Sequence, residues 1–179
     1  MDGVSMTKVM RLRHQFRRAA QSGAIKPWML VVLLLALAPL LTLGFYEGRK
    51  AYWDAKVREM CAKDGGIKVY ETVRLPPEKF NEWGQPNFFR PDQGEDALGV
   101  DYVFKKQAAY YRRGNPEMWR AHIQVIRRID EKTLGESTSY SRRGGDLPGP
   151  VHDSSFGCPE ERGDIPLLMR IFKQKPDRK

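Results

Sequence analysis

The sequence predicts an α+β protein in which one amino-terminal transmembrane helix extends into a stem and carries a small, mainly antiparallel β domain closed by one disulfide. Three observations predict it. Residues 27–46 hold no charge in a chain that is 30% charged. Beyond Gly65-Gly66, apolar and polar residues alternate as strands require. The two cysteines, Cys61 and Cys158, bracket almost all of that β region. The 179 residues carry 31 Lys and Arg against 22 Asp and Glu, a net charge of +9, and 41% are hydrophobic. That length allows one modest domain with appendages and excludes a multidomain enzyme, and the apolar fraction is too high for a wholly disordered chain.

Residues 1–26 form a basic arm in which Lys8, Arg11, Arg13, Arg17, Arg18 and Lys26 face only Asp2. Val9, Leu12, Phe16 and Ala20 recur there at helical spacing, so the arm reads as a topology signal or as a helix lying on anionic lipid. Residues 27–46 at about 1.5 Å per residue make a helix of about 30 Å, the thickness of a bilayer core. Trp28 at one end and Phe45 and Tyr46 at the other suit the two interfaces, and Pro39 is tolerated as a kink. A cleaved signal peptide has a shorter basic region. Its small-residue cleavage site is met here only by Ala36-Leu37-Ala38, inside the apolar run and before Pro39, which favours an uncleaved anchor. Arg49, Lys50, Lys56, Arg58 and Lys63 flank the other side, so the charge asymmetry is slight and leans towards a cytoplasmic amino terminus.

Residues 47–64 place Tyr52, Trp53, Val57, Met60 and Cys61 near one helical face, and Gly65-Gly66 supplies a helix stop. The remaining chain, 65–179, reads as a periplasmic α+β domain. Ile67, Val69, Glu71 and Val73 alternate with Lys68, Tyr70 and Thr72, which predicts a strand over 67–74 ended by Pro76-Pro77. Residues 78–98 carry Gly84, Pro86, Pro91 and Gly94 among aromatics, a long loop. Strand-like runs follow at 100–106 and 108–113, then a Gly114-Asn115-Pro116 turn. Residues 118–130 alternate as a strand, with a helix as the other reading, and 131–133 connect to a strand over 134–143. Loop leads from Gly144 through Cys158-Pro159 to 165–173, a final strand or short helix. Four to six strands are expected in all.

A bridge between Cys61 and Cys158 would close the domain. In an oxidising periplasm a loop of this length is worth about 4 to 5 kcal/mol in the chain-entropy picture, the alternative being two reduced thiols in a cytosolic domain. The residues Cys61, Asp64, Gly65, Gly66, Val69, Tyr70 and Glu71, with Leu134-Gly135-Glu136-Ser137, Tyr140, Arg142-Arg143-Gly144-Gly145-Asp146 and Cys158-Pro159, resemble a group of membrane-anchored proteins of Gram-negative bacteria. Their pattern is C-x-x-D-G-G-x-x-V-Y-E, and no activity is attached to them. The resemblance covers about residues 61 to 159. It implies a periplasmic domain behind one inner-membrane helix and supports the cysteine pairing.

Chemistry-bearing patterns are thin. His122 and His152 have no neighbouring histidine, so no metal or other cofactor is expected. Ser154 and Ser155 near His152 lack a G-x-S-x-G elbow, and there is no phosphate-cradling glycine loop. Arg142 and Arg143 before Gly144-Gly145-Asp146 are candidate ligand-binding groups, or a turn in which Asp146 satisfies local amides. Arg162-Gly163-Asp164 spells an adhesion tripeptide with nothing around it to support that role. Trp83, Phe88 and Phe89 in the long loop are candidate partner-binding aromatics, unless they fold back over the sheet. The expected partners are the lipid bilayer and another envelope protein or component. Nucleic acid is not expected, since no recognition fold accompanies the basic charge. The reading is a non-enzymatic binding module of the envelope. Its rival is a membrane-anchored envelope hydrolase that assembles His122 or His152 with Glu71 or Asp146.

Overall fold

The computed structural model describes residues 26–149 and 152–176; the basic arm lies outside the described residues apart from Lys26. The chain divides into two compact units, with the boundary after Gly44. Helix α1, Pro27–Asp64, runs for 38 residues. Its first part is long and apolar enough to cross a membrane, and its leucines stand uncovered, Leu35 and Leu40 being 71% and 65% exposed. The leucines are confined to residues 30–43, and the charged residues of α1 all lie beyond them. Pro39 sits inside α1 without ending it.

In the second unit α1 stops where the glycine pair predicts. The Gly65 N–H donates to the Cys61 carbonyl at 2.8 Å, and a Cβ on Gly65 would stand 2.7 Å from that oxygen. Gly66 then takes a φ of +127°, open to glycine and strained for other residues. The strand expected over 67–74 is divided into β1, Gly66–Val69, and β2, Val73–Leu75. The break has a tertiary cause, because the Tyr70 and Glu71 amides both donate to the carbonyl of Leu134, at 2.8 and 3.0 Å.

The runs on either side of Gln107 are one strand, β3, Tyr102–Arg112. It is followed by β4, Glu117–Arg127, and β5, Lys132–Arg143, an antiparallel meander. The segment after the glycine turn contributes a further short strand, β6, Ser155–Cys158. The last apolar run is helix α2, Asp164–Ile171, continued by β7, Phe172–Gln174. Seven strands therefore stand among the described residues, more than expected. The principal sheet has the order β1-β5-β4-β3, with β6 also on β5. Gly66 pairs with Thr138 and Cys158 with Tyr140, so β1 and β6 share one side of β5 end to end. β2 and β7 form a separate parallel pair.

One face of the sheet is closed by α2 and the long loop. Leu167, Leu168 and Ile171 are fully buried and Phe172 is 1% exposed, packed with Phe104, Ile123, Val125 and Leu134. Gly135 permits the approach, since a Cβ there would stand 3.0 Å from Ile171 Cδ1. Phe88 meets Phe172 with ring centroids 5.4 Å apart, and Phe89 meets Phe104 at 5.3 Å. The opposite face is covered at one end by the stem, where Val57, Met118 and Tyr140 are buried among Trp53, Met60 and Phe156. Cys61 and Cys158 are joined there as a disulfide, their Cα atoms 6.1 Å apart.

Candidate functional site

Strand alternation puts Glu136, Thr138, Tyr140 and Arg142 of β5 on the stem-side face, with Arg120 and His122 of β4 beside them. Arg142 is 2% exposed. Its Nε donates to Asp54 of the stem at 2.5 Å, and its Nη1 donates to the Gly144 carbonyl and, at 3.3 Å, to Ser154 Oγ. A buried guanidinium needs such a set of acceptors, and here they join stem, sheet and glycine turn. The Tyr140 hydroxyl donates to Asp64 Oδ1 at 2.7 Å. Burial and that carboxylate push its phenol well above the ordinary range.

Towards β1 the face becomes a titratable cluster. His122 Nδ1 lies 2.9 Å from Thr138 Oγ1 and its Nε2 lies 3.8 Å from Glu136 Oε2. Glu136 accepts the Tyr70 hydroxyl at 2.8 Å and is 3.4 Å from Lys68 Nζ. Burial, reinforced by Arg120, holds His122 below its ordinary pKa, and the Tyr70 hydrogen bond lowers that of Glu136. A hydroxyl, an imidazole and a carboxylate in sequence have the composition of a nucleophile relay. Thr138 is only 4% exposed, however, so its hydroxyl is closed to a substrate-sized reactant. The cluster ties β1, β4 and β5 together across this face.

The groups named for a hydrolase are engaged elsewhere. Glu71 binds Arg127 at 2.7 Å and Lys132 at 2.6 Å. Asp146 accepts the Ser154 N–H at 2.6 Å and lies 3.2 Å from Lys50, the local-amide reading of that turn. His152 is exposed. Among the described residues there is no group of three or more His, Cys, Asp or Glu that could hold a metal ion. A cavity of ≈ 470 Å³ is lined by Arg74, Lys173 and Lys175 and contains neither histidine.

The candidate partner-binding residues separate. Trp83 is 68% exposed and the Arg143 side chain 65%. Phe88 and Phe89 are half-buried against the core, the fold-back alternative for the loop, and Arg142 is enclosed. The loop folds back because its phenylalanines complete the core that α2 leaves open. Arg162 donates to the carbonyls of Gly157 and Pro159 at 3.1 and 2.9 Å, and Asp164 holds Lys106 at 3.0 Å, so two of the three adhesion-tripeptide residues are engaged inside the domain.

The C-x-x-D-G-G-x-x-V-Y-E residues all have structural partners at the helix-to-sheet junction. Cys61 bridges Cys158, Asp64 accepts Tyr140, Gly65 clears Cys61, Gly66 pairs with Thr138, Val69 packs on the core, Tyr70 reaches Glu136 and Glu71 reaches Arg127. Sequence reasoning missed Asp54, Arg120, Glu136 and Thr138 as members of the polar face. The usable signal was the alternation of Glu136, Thr138, Tyr140 and Arg142 along one strand. The chain matches no family model, no curated protein and no solved structure.

Proposed function

We propose that this chain is a single-pass inner-membrane protein with a cytoplasmic amino terminus, whose residues 47–179 lie in the periplasm and act as a non-enzymatic binding module for another envelope protein or component. The topology is supported by the apolar first part of α1, by the excess of basic residues in the arm, and by a disulfide, which persists in an oxidising compartment. The resemblance carried by the C-x-x-D-G-G-x-x-V-Y-E residues agrees with it.

The observation that carries the binding reading is the set of large apolar side chains standing in solvent on the second unit. Trp83 is 68%, Val100 86%, Ile129 91% and Tyr111 55% exposed. Val100 and Ile129 line one shallow cavity. Side chains of this size, so fully exposed and repeated over a small domain, mark contact surfaces. The chemistry-bearing side chains of the stem-side face are meanwhile taken up in internal pairs.

The experiment is photo-crosslinking in cells with a reactive amino acid placed at Trp83, Ile129 or Tyr111, beside a periplasm-dependent reporter fused after Lys179. An active reporter and a discrete crosslinked species that disappears on adding Trp83→Ala or Ile129→Ser are expected. A silent periplasmic reporter with an active cytoplasmic one would overturn the topology, and no crosslink at any position would overturn the binding reading.

A further inference from the structure

The principal sheet ends at β3, whose strand partner among the described residues is β4 alone. Its first half lies beside the 91–98 segment, with Pro91, Gly94 and Glu95 lining a cavity together with Phe104–Gln107. The second half, Gln107-Ala108-Ala109-Tyr110-Tyr111, is exposed throughout. Edge strands are ordinarily guarded by inward charges, proline, short length, a bulge or a covering segment. These five residues include no charge and no proline, the two alanines leave the backbone uncovered, and the one irregularity, a bulge at Tyr111 between the Tyr110–Trp119 and Arg112–Met118 pairs, stands at the far end of the stretch. Tyr110 stands on one face beside Trp119, ring centroids 6.3 Å apart, and Tyr111 stacks on Tyr140 at 6.2 Å. A strand laid along this edge would find an aromatic wall at the same end.

Cations stand at both ends of the stretch. Lys106 holds Asp164, and Arg112 donates to the Pro116 carbonyl and covers Trp53. Lys105 and Arg113 have no carboxylate partner among the described residues; Arg113 lies over the Tyr110 ring at 4.9 Å. We infer that the outer edge of β3 accepts an extended segment of an acidic partner protein as an added strand, with backbone hydrogen bonds along Gln107–Tyr110 and carboxylates meeting Lys105 and Arg113. A second copy of this chain fits worse. Antiparallel pairing centred between Ala108 and Ala109 sets Lys105 opposite Arg112, and parallel pairing sets each cation beside its own copy, both repulsive. This inference rests on the binding reading above and names its surface.

The test uses the full chain in non-ionic detergent micelles and two labelled synthetic peptides with the same alternating Thr-Val centre, one flanked by Glu pairs and one by Lys pairs, followed by fluorescence anisotropy. The Glu-flanked peptide is expected to bind roughly tenfold more tightly, and Lys105→Glu with Arg113→Glu to reverse the preference. Successive edge residues turn their N–H alternately towards and away from the neighbouring strand, so of Ala108→Pro and Ala109→Pro one spares the β4 ladder. That variant, recognised by an unchanged thermal transition, should lose binding. Equal binding of the two peptides, no binding of either, or binding that survives both prolines would overturn the inference. So would a concentration-dependent dimer that the same proline dissolves. Persistent crosslinks at Trp83 or Ile129 alongside any of these outcomes would leave the binding reading standing while this surface falls.

Discussion

Beneath α2 the sheet meets Leu167, Leu168, Ile171 and Phe172, none more than 1% exposed, whereas the opposite face carries a disulfide and the Arg142–Asp54 pair at the stem and the Thr138–His122–Glu136 chain towards β1. The first face is closed by apolar burial, which is non-directional and indifferent to pH. The second is closed by bonds that each need a particular partner, charge or redox state. The stem part of α1 brings only a few apolar residues to the sheet, Val57 being the fully buried one, so covalent and polar bonds supply what burial there cannot. The difference predicts that stem-side and α2-side perturbations will separate under redox, charge and pH.

The largest effect is expected from the bridge. Cys61→Ser with Cys158→Ser should lower stability by about 4 kcal/mol, the chain-entropy value for a loop of this size, read as a fall in the denaturant midpoint. Leu168→Ala should cost about 3 kcal/mol through transfer and cavity terms, and the loss should be the same in oxidised and reduced protein. A strong dependence on the disulfide would show that the two faces are not independent. Asp54→Ala leaves the Arg142 guanidinium enclosed without its carboxylate and should cost about 2 kcal/mol, less than a wholly buried pair because Asp54 keeps some solvent. Asp54→Ala with Arg142→Met should recover much of that loss, and a double variant as weak as the sum of the singles would contradict the pairing.

The pH effects are the smallest. His122 is held below its ordinary 6.5, first by burial and then by Arg120, with Glu136 and Asp64 acting against this and Lys68 with it. Its unfolded form therefore takes up protons first. The stabilisation is present above about pH 6.5 and is lost as the pH falls through the folded value. His122→Gln should flatten the thermal transition across that window. Glu71 is lowered from 4.5 to about 2 by hydrogen bonds from Arg127 and Lys132, so its contribution is present above pH 4.5 and disappears towards pH 2. Glu71→Gln should remove that acid-limb sensitivity, which salt should also weaken because the group is partly exposed.

What was legible in the sequence was local. The stem end at Gly65-Gly66 follows from two residues without Cβ atoms, and the β3–β4–β5 meander follows from alternation. The division of the 67–74 strand was not legible, because it depends on the Leu134 carbonyl more than sixty positions away. Residues 165–173 are short and apolar, and the choice of helix was made by the core that Leu167, Leu168 and Ile171 fill together. The aromatic loop read equally as surface or as cover, and the structure divides it, with Trp83 outside and Phe88 and Phe89 inside. Arg142 looked like a ligand group because its partner, Asp54, lies on a helix 88 residues earlier.

Hydrogen exchange of the full chain, oxidised against reduced, tests most directly the claim that the two faces are closed by different means. On reduction, stem residues 49–64 and β6 are expected to lose protection first, while α2 and the β4 segment carrying Ile123 and Val125 keep theirs. Equal loss of protection across all four segments, or unchanged protection in the stem, would contradict it.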